Sequence, residues 1–398
     1  MKCLEIFSGA GGLAKGLENA GFEHASFVEI NRDACATLRK NFLPALVYEG
    51  DIATFNLSAL GTVDIVAGGP PCQPFSLGGR HKAQQDSRDL FPHAVRCIER
   101  LQPKAFLFEN VKGLLRPSFA KYFEYILLRL AYPYCSMLKG EYWPEHLARL
   151  QQITPKSYDG IRYDVQFKLL NAADFGVPQK RERVLVVGIR SDLSIKWKFP
   201  EPTHSEDRLH WEKYVTGAYW QRHGMAKQNN DALQRLLRQR YGLFEPKGQP
   251  WQTVRDALKN VPWPQDAHGI SDHIFKDGAR TYPGHTGSEI DQPAKTLKAG
   301  GHGVPGGENM IRYENGSVRY FTVYEAKLLQ TFPEDFAIVG AWGEAMRQLG
   351  NAVPVALAEL FGKKLFALLS HKENLMKCNE VRVHPVTSRS QVSSVLTA

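Results

Sequence analysis

The sequence predicts an α/β protein: a parallel sheet flanked by helices, joined to a second, irregular domain. Three observations carry that expectation. Over the first 110 residues, short apolar runs alternate with helix-like segments, the pattern of β-α units feeding a parallel sheet. A glycine-rich turn, Gly9, Gly11 and Gly12, stands between the first such run and the first helix. After Arg190 the periodicity fades and prolines, tryptophans and glycines accumulate, with seven of the thirteen histidines falling between 191 and 310.

Taken in order, strands are expected at "CLEIF" (3–7), "SFVEI" (26–30), "DIVAGG" (64–69) and "AFLFEN" (105–110), with a further buried strand at "RVLVVGIR" (183–190). Helices are expected at "GLAKGLENAG" and at "NRDACATLRKNF", where Asn31 is the natural N-cap. Regular patterning returns at "TVYEAKLLQTF" and at the apolar stretch "PVALAELFGKKLFALL" (354–369), opened by Pro354. The expected division is a first domain of 1–190 completed by about 346–370, a second of 191–345 with its hinge, and a polar, Ser-rich tail, 371–398, expected to be disordered.

With 398 residues, 43% of them hydrophobic and 23% charged, the chain can bury a large core. It has no apolar run long enough for a membrane span, and Glu5 and the early glycines break any signal peptide, so a cytoplasmic protein is expected. Six cysteines at 3, 35, 72, 97, 135 and 378 form no C-x-x-C pair, which argues against a metal site and a disulfide framework. The net charge of +9 suits a polyanionic partner but is spread along the chain.

Small residues at 9, 11 and 12 let the backbone approach a ligand at a helix N-terminus, and Glu29 ends the next strand where a carboxylate can accept from ribose hydroxyls. The pair points to a nucleoside-containing cofactor; a turn that merely packs helix on strand is the competing reading. Cys72 in "GGPPCQPFS" follows a strand, so it lies at the carboxyl edge of the sheet on a turn stiffened by Pro70 and Pro71. Such a thiol is either a small buried hydrophobe or a nucleophile. Glu109 ends the next strand at the same crevice and could cap a helix, bind a cofactor or act as a general acid. Lys180, Arg181 and Arg183 in "QKRER" open a further strand, with 181 and 183 on one face; aimed into a cleft, they would hold phosphate or carboxylate.

These stretches, in order, resemble the DNA cytosine-5 methyltransferase family of the prokaryotic restriction-modification type: "FSGAGGL" with Glu29, "GDI" at 50–52, "GGPPCQPFS", "ENVKGL", "QKRER", "RYFTVYEAKLLQTFP" and "QLGNAVP". The resemblance implies a Rossmann-like, S-adenosylmethionine-dependent methyltransferase sheet, with the irregular domain choosing the target. It implies that Cys72 attacks C6 of a flipped-out cytosine, that Glu109 hydrogen-bonds the ring at N3 and the exocyclic amine, and that Arg183, supported by Arg181, orients base and acid. The cofactor residues it implies are Phe7, Gly9, Gly11, Gly12, Glu29, Ile30, Asp51, Ile52, Pro70 and Asn351. Gln73, Ser76, Thr296 and Leu297 are implied to contact DNA, and no metal is needed. Double-stranded DNA and a cognate restriction endonuclease are the implied partners of a monomer.

Rival readings are weaker on the residues. An NAD-dependent oxidoreductase explains the glycine loop and Glu29 but leaves "PPCQ" and "ENV" unused. An RNA cytosine-5 methyltransferase would carry a different residue after the cysteine and a smaller variable domain. The segment around 132–160 reads as an insertion, either DNA-facing or mere elaboration.

Overall fold

A computed structural model describes residues 1–71, 90–154, 156–299 and 307–382. The first half builds a seven-stranded sheet from β1 (Lys2–Ile6), β2 (Glu23–Glu29), β3 (Leu46–Glu49), β4 (Ile65–Gly68), β5 (Ala105–Val111), β6 (Tyr163–Asn171) and, after the two-residue β7 (Gln179–Lys180), β8 (Glu182–Arg190). Their order is β3-β2-β1-β4-β5-β8-β6. Strands β1 to β5 pair in parallel, as expected, but β8 runs antiparallel to both β5 and β6. The correction has a simple cause: β6 and β8 are joined by a short connection, which permits only an antiparallel pair, whereas a parallel pair needs a long crossover.

The apolar runs have no polar alternation because both faces are covered. On one face Ile6, Val66, Phe106, Phe108, Val184 and Val186 pack under α3 (Phe91–Leu101), α4 (Ala120–Ala131) and α5 (Trp143–Gln151). On the other, Cys3, Ile65, Ala67, Leu107, Leu185 and Val187 pack with Leu13 and Leu17 of α1 (Gly12–Asn19). Helix α2 (Arg32–Asn41) starts where expected: Asn31 caps it, its Oδ1 accepting from the Ala34 amide at 2.8 Å. The segment read as an insertion is elaboration of this core, since Leu147 and Leu150 of α5 are buried in the α3/α4 face.

Among its described residues the variable region holds mostly short elements: β9 (His204–Ser205) beside β10 (Gln249–Pro250), with α6 (Glu206–His210), a π-helical turn (Trp211–Thr216), α7 (Ala218–Arg222), the longer α8 (Asp231–Tyr241) and α9 (Val254–Ala257). Next come β11 (Ser288–Glu289), β12 (Ala294–Lys295), β13 (Met310–Arg312) and β14 (Val318–Tyr320). Residue 345 is not a packing boundary. Ile311, Phe321, Leu329 of α10 (Val323–Leu329) and Met346 of α11 (Trp342–Asn351) share one cluster with Phe27, Leu38 and Phe42 of the first domain.

The last described element is α12 (Val355–Arg382), which lies along α1. Gly16 makes the approach possible: a Cβ there would sit 2.4 Å from the Ala358 Cβ. The helix runs to Arg382, so the expected tail from 371 begins as helix; residues 383–398 lie outside the described ones. Among the described residues no helix is long and apolar enough to cross a membrane.

Candidate active site

The parallel strands β1, β2, β4 and β5 end on one edge of the sheet, and the loops leaving them gather the residues singled out from sequence. After β1 the chain turns through positive φ at Phe7 (54°), Gly9 (53°) and Gly11 (82°) before α1 begins. A non-glycine residue at such an angle is strained, and strain of this kind gathers at functional sites. Glu29, at the end of β2, fastens this turn: its Oε2 accepts from the Gly9 amide at 2.8 Å, and its Oε1 from the amides of Ile30 and Asn31 at 2.9 and 2.8 Å. Oε1 is filled by its two bonds, whereas Oε2, with one, keeps acceptor capacity toward the crevice.

Beside Glu29, Ile30 is 71% exposed, an apolar residue at the crevice rim. Asp51 is exposed and caps the following turn, its Oδ1 accepting from the Ala53 amide at 2.8 Å. Ile52 turns inward. Its side chain is core, packed with Val28 and Phe55, and its carbonyl accepts from Arg96, so it offers a ligand no side-chain surface.

Beyond β4, Pro70 is buried and held from β5: Asn110 Nδ2 donates to the Pro70 carbonyl at 2.9 Å, while its Oδ1 accepts from the Val111 amide at 2.9 Å. Cys72 follows Pro71 directly; with Gln73 and Ser76 it lies outside the described residues. Glu109 stands over the same turn, its Oε2 3.5 Å from where a Cβ on Gly69 would be.

Register brings Arg183 to Glu109. Val111 pairs with Arg183 and Glu109 with Leu185 across β5 and β8, so 109 and 183 are diagonal neighbours on one face. Arg183 Nε lies 2.6 Å from Glu109 Oε1, with the side chains 12% and 9% exposed. Removing either partner would leave the other charge poorly solvated. Next to the pair an open cleft of about 400 Å³ is lined by Val111, Lys112, Asn171, Lys180, Glu182 and Thr296 among others.

Arg181 does not touch that acid. It is fully buried, donating from Nη2 to the Gly350 carbonyl at 2.8 Å and from Nη1 to the Leu297 carbonyl at 3.4 Å. Burial, reinforced by the nearby Arg183 charge, pulls its guanidinium down to about 9. The Thr296-Leu297 pair splits. Thr296 sits at the cleft, its Oγ1 donating to the Lys180 carbonyl at 2.7 Å, and β12 pairs with β7 just before it. Leu297, expected to face DNA, is 1% exposed and packs in the core with Leu329 and Phe332. Asn351 is exposed at the end of α11, and the turn after it abuts the glycine loop: a Cβ on Gly12 would lie 2.2 Å from the Val353 carbonyl oxygen.

Three residues escaped the sequence reading. Asn110 was legible as the polar residue beside Glu109 in "FENV". Gln179 is buried in "PQK", its Oε1 accepting from the Leu297 amide at 3.2 Å and its Nε2 donating to the Leu329 carbonyl at 3.4 Å. Glu5, an acid inside an apolar strand, is fully buried 3.3 Å from His24 Nε2; burial raises its pKa, while His24 and the Ala14 amide, at the start of α1, oppose the rise. Among the described residues no group of three His, Cys, Asp or Glu could hold a metal.

Known proteins resemble this chain. The model of the C-5 cytosine-specific DNA methylases matches residues 1–132 and 144–367, the break falling at the start of the segment read as inserted. The Type II methyltransferase M.NgoMIV of Neisseria gonorrhoeae is 32% identical over 374 residues, 93% of this chain and 98% of that protein. M.NgoFVII of the same species is 31% identical, covering 98% of this chain and 94% of its own length. The S. pombe Dnmt2 methyltransferase structure, only 17% identical, has the same fold with a TM-score of 0.54 over 93% of this chain and 98% of its own. Matched over most of its length by the family model and by relatives of this kind, the chain belongs to the C-5 cytosine-specific DNA methylase family.

Proposed function

We propose that this DNA cytosine-5 methyltransferase acts on a flipped-out cytosine within a specific short duplex sequence, through a covalent bond from Cys72 to C6, with S-adenosylmethionine as methyl donor. The observation that carries the reading is the Glu109–Arg183 pair, 2.6 Å apart over the Gly69–Pro70 turn that leads into Cys72.

The crevice suits the donor. A Cβ added to Gly9 would meet nothing within 4 Å, so the turn faces open space, and Ile30, next to Glu29 in sequence, offers exposed apolar surface. Phe7, Gly9, Gly11 and Gly12 would hold the methionine part, Glu29 the ribose hydroxyls, Ile30 and Asp51 the adenine, with Pro70 and Asn351 closing the pocket. The bound donor supplies an electrophilic methyl group.

Cytosine C5 is too weak a nucleophile to accept that group while the ring is conjugated. Cys72, as thiolate, forms a bond to C6, and the C5–C6 π pair shifts toward C5 and N3. Glu109 hydrogen-bonds N3 and the exocyclic amine, stabilising the charge that develops there, and Arg183 fixes the Glu109 carboxyl. The C5 electron pair takes the methyl group as the sulfur–methyl bond breaks and S-adenosylhomocysteine leaves; the C5 proton then passes to a base, its electron pair re-forms the C5–C6 double bond, and Cys72 departs with the C6–S pair.

Because a stacked base hides C6, the target must leave the duplex. Thr296 and Lys180 at the cleft, with Gln73 and Ser76, would contact the DNA, phosphates setting position and base edges setting sequence. Cys72, Glu109, Arg183 and the donor-pocket residues all come from one chain, which fits action as a monomer. The relatives' type II character supports pairing with a cognate restriction endonuclease, whose cutting this methylation would block.

The test is transfer of tritiated methyl groups from S-adenosylmethionine to duplex DNA, followed by digestion to nucleosides. Label in 5-methyldeoxycytidine is expected; label at N4 of cytosine, or in RNA alone, would contradict the proposal.

A further inference from the structure

Arg181 is an unusual investment for a merely structural residue. Its side chain is fully buried, its Nε has no hydrogen-bond partner, and no carboxylate pairs with it among the described residues. A buried cation is costly when it is not ion-paired. What this one holds are two backbone carbonyls from distant segments: Leu297, beside Thr296 at the DNA cleft, and Gly350, beside Asn351 at the donor pocket.

The two segments also touch directly. A Cβ on Gly350 would lie 2.5 Å from the Ala299 nitrogen and 2.6 Å from the Lys298 carbonyl carbon, so backbone rests on backbone. Gln179 grips the Leu297 amide at 3.2 Å, and Asn309 brackets Lys298, its Oδ1 accepting from the Lys298 amide at 3.1 Å and its Nδ2 donating to the Lys298 carbonyl at 3.0 Å. Residues 297–299 thus cannot shift without disturbing 350, and Arg181 lies two residues from Arg183 in sequence.

We propose that Arg181 is a positioning residue that couples the two binding sites: a ligand seated at Asn351 sets the loop at Thr296–Ala299 for DNA, and DNA on that loop sets Asn351. The inference rests on the methyltransferase reading above. Linkage makes the effect reciprocal, so each ligand tightens the other by one factor.

The probe is S-adenosylhomocysteine, which occupies the donor pocket without reacting, with duplex DNA carrying the methylated sequence. DNA affinity of the full chain is measured by fluorescence anisotropy with and without it. The wild type should bind DNA about 10- to 100-fold more tightly with S-adenosylhomocysteine, within the usual span of coupling. In Arg181→Lys, which cannot reach both carbonyls, the factor should fall below about threefold. Gly350→Ala presses on the same contact from the other side with Arg181 intact, and serves if Arg181→Lys does not fold; it should lose the coupling too. A general loss of stability would weaken both affinities and leave their ratio, so the ratio isolates the joint. Wild-type coupling retained in both variants would overturn the proposal, as would a wild type that methylates DNA normally but shows no coupling. A wild type that binds neither ligand would overturn the methyltransferase reading along with it.

Discussion

Leu297→Ala separates two roles for one side chain. Read as a DNA contact, Leu297 would be exposed in the free protein; in the structure it is 1% exposed within a cluster containing Phe321, Leu329, Phe332 and Leu349. Truncating a buried leucine costs about 2–5 kcal/mol, and here the backbone held by Gln179 and Arg181 resists collapse into the gap, so about 3 kcal/mol is expected. With an m-value of about 3 kcal/mol/M the urea midpoint should fall by about 1 M at unchanged slope. Thr296→Val provides the contrast: it removes a donation of 2.7 Å to the Lys180 carbonyl at the cleft and should cost about 1 kcal/mol or less. Urea titration followed by tryptophan fluorescence reads both. A Leu297→Ala midpoint within about 0.2 M of wild type, the behaviour of an exposed residue, would refute the burial argument.

Three further outcomes follow from the same geometry. Arg183→Met leaves Glu109 facing no cation and should lower the methyl-transfer rate about 10²- to 10³-fold while S-adenosylhomocysteine binding stays near wild type; a rate within threefold would remove Arg183 from the chemistry. Gly16→Ala forces a methyl group against Ala358 and the Glu359 nitrogen and should destabilise the protein by about 1–3 kcal/mol, seen as a lower Tm; an unchanged or raised Tm would show that α1 and α12 have slack. His146 is held down to about 4 by burial and by the Arg129 and Arg149 charges. An unfolded histidine titrates near about 6.5, so the unfolded chain takes the proton first and stability falls as pH drops from about 6.5 toward about 4. His146→Gln should flatten that limb of a Tm-versus-pH curve, and an identical slope would discount the residue.

The legible parts of the fold were those where local pattern and tertiary role agree. Apolar runs at 3–7, 64–69 and 105–110 became sheet strands because they are buried on both faces. Strand β6, "YDVQFKLLN", was missed because it is an edge strand, with Gln166 and Phe167 exposed, and its composition resembles a loop. The direction of β8 was hidden because an apolar run reads the same either way. Glu29, Glu109 and Arg183 could be placed at one sheet edge from sequence because each ends or opens a strand there. What spacing cannot tell is which way a side chain points. Ile52 and Leu297 turn into the core, and Arg181 turns from the acid toward two distant carbonyls. Those carbonyls belong to residues more than 100 positions away, beyond any local pattern.

The central claim is that a thiol on the Pro70-Pro71 turn bonds to a cytosine held by Glu109 and Arg183. Duplex DNA with 5-fluorocytosine in the methylated position tests it most directly, because fluorine cannot leave C5 as a proton does and the enzyme should stay attached. With S-adenosylmethionine present, wild-type protein is expected to form a DNA complex that survives boiling in SDS, and Cys72→Ala none. A Cys72→Ala protein that still forms the complex, or a wild type that methylates ordinary DNA yet traps nothing on the fluorinated strand, would contradict the account.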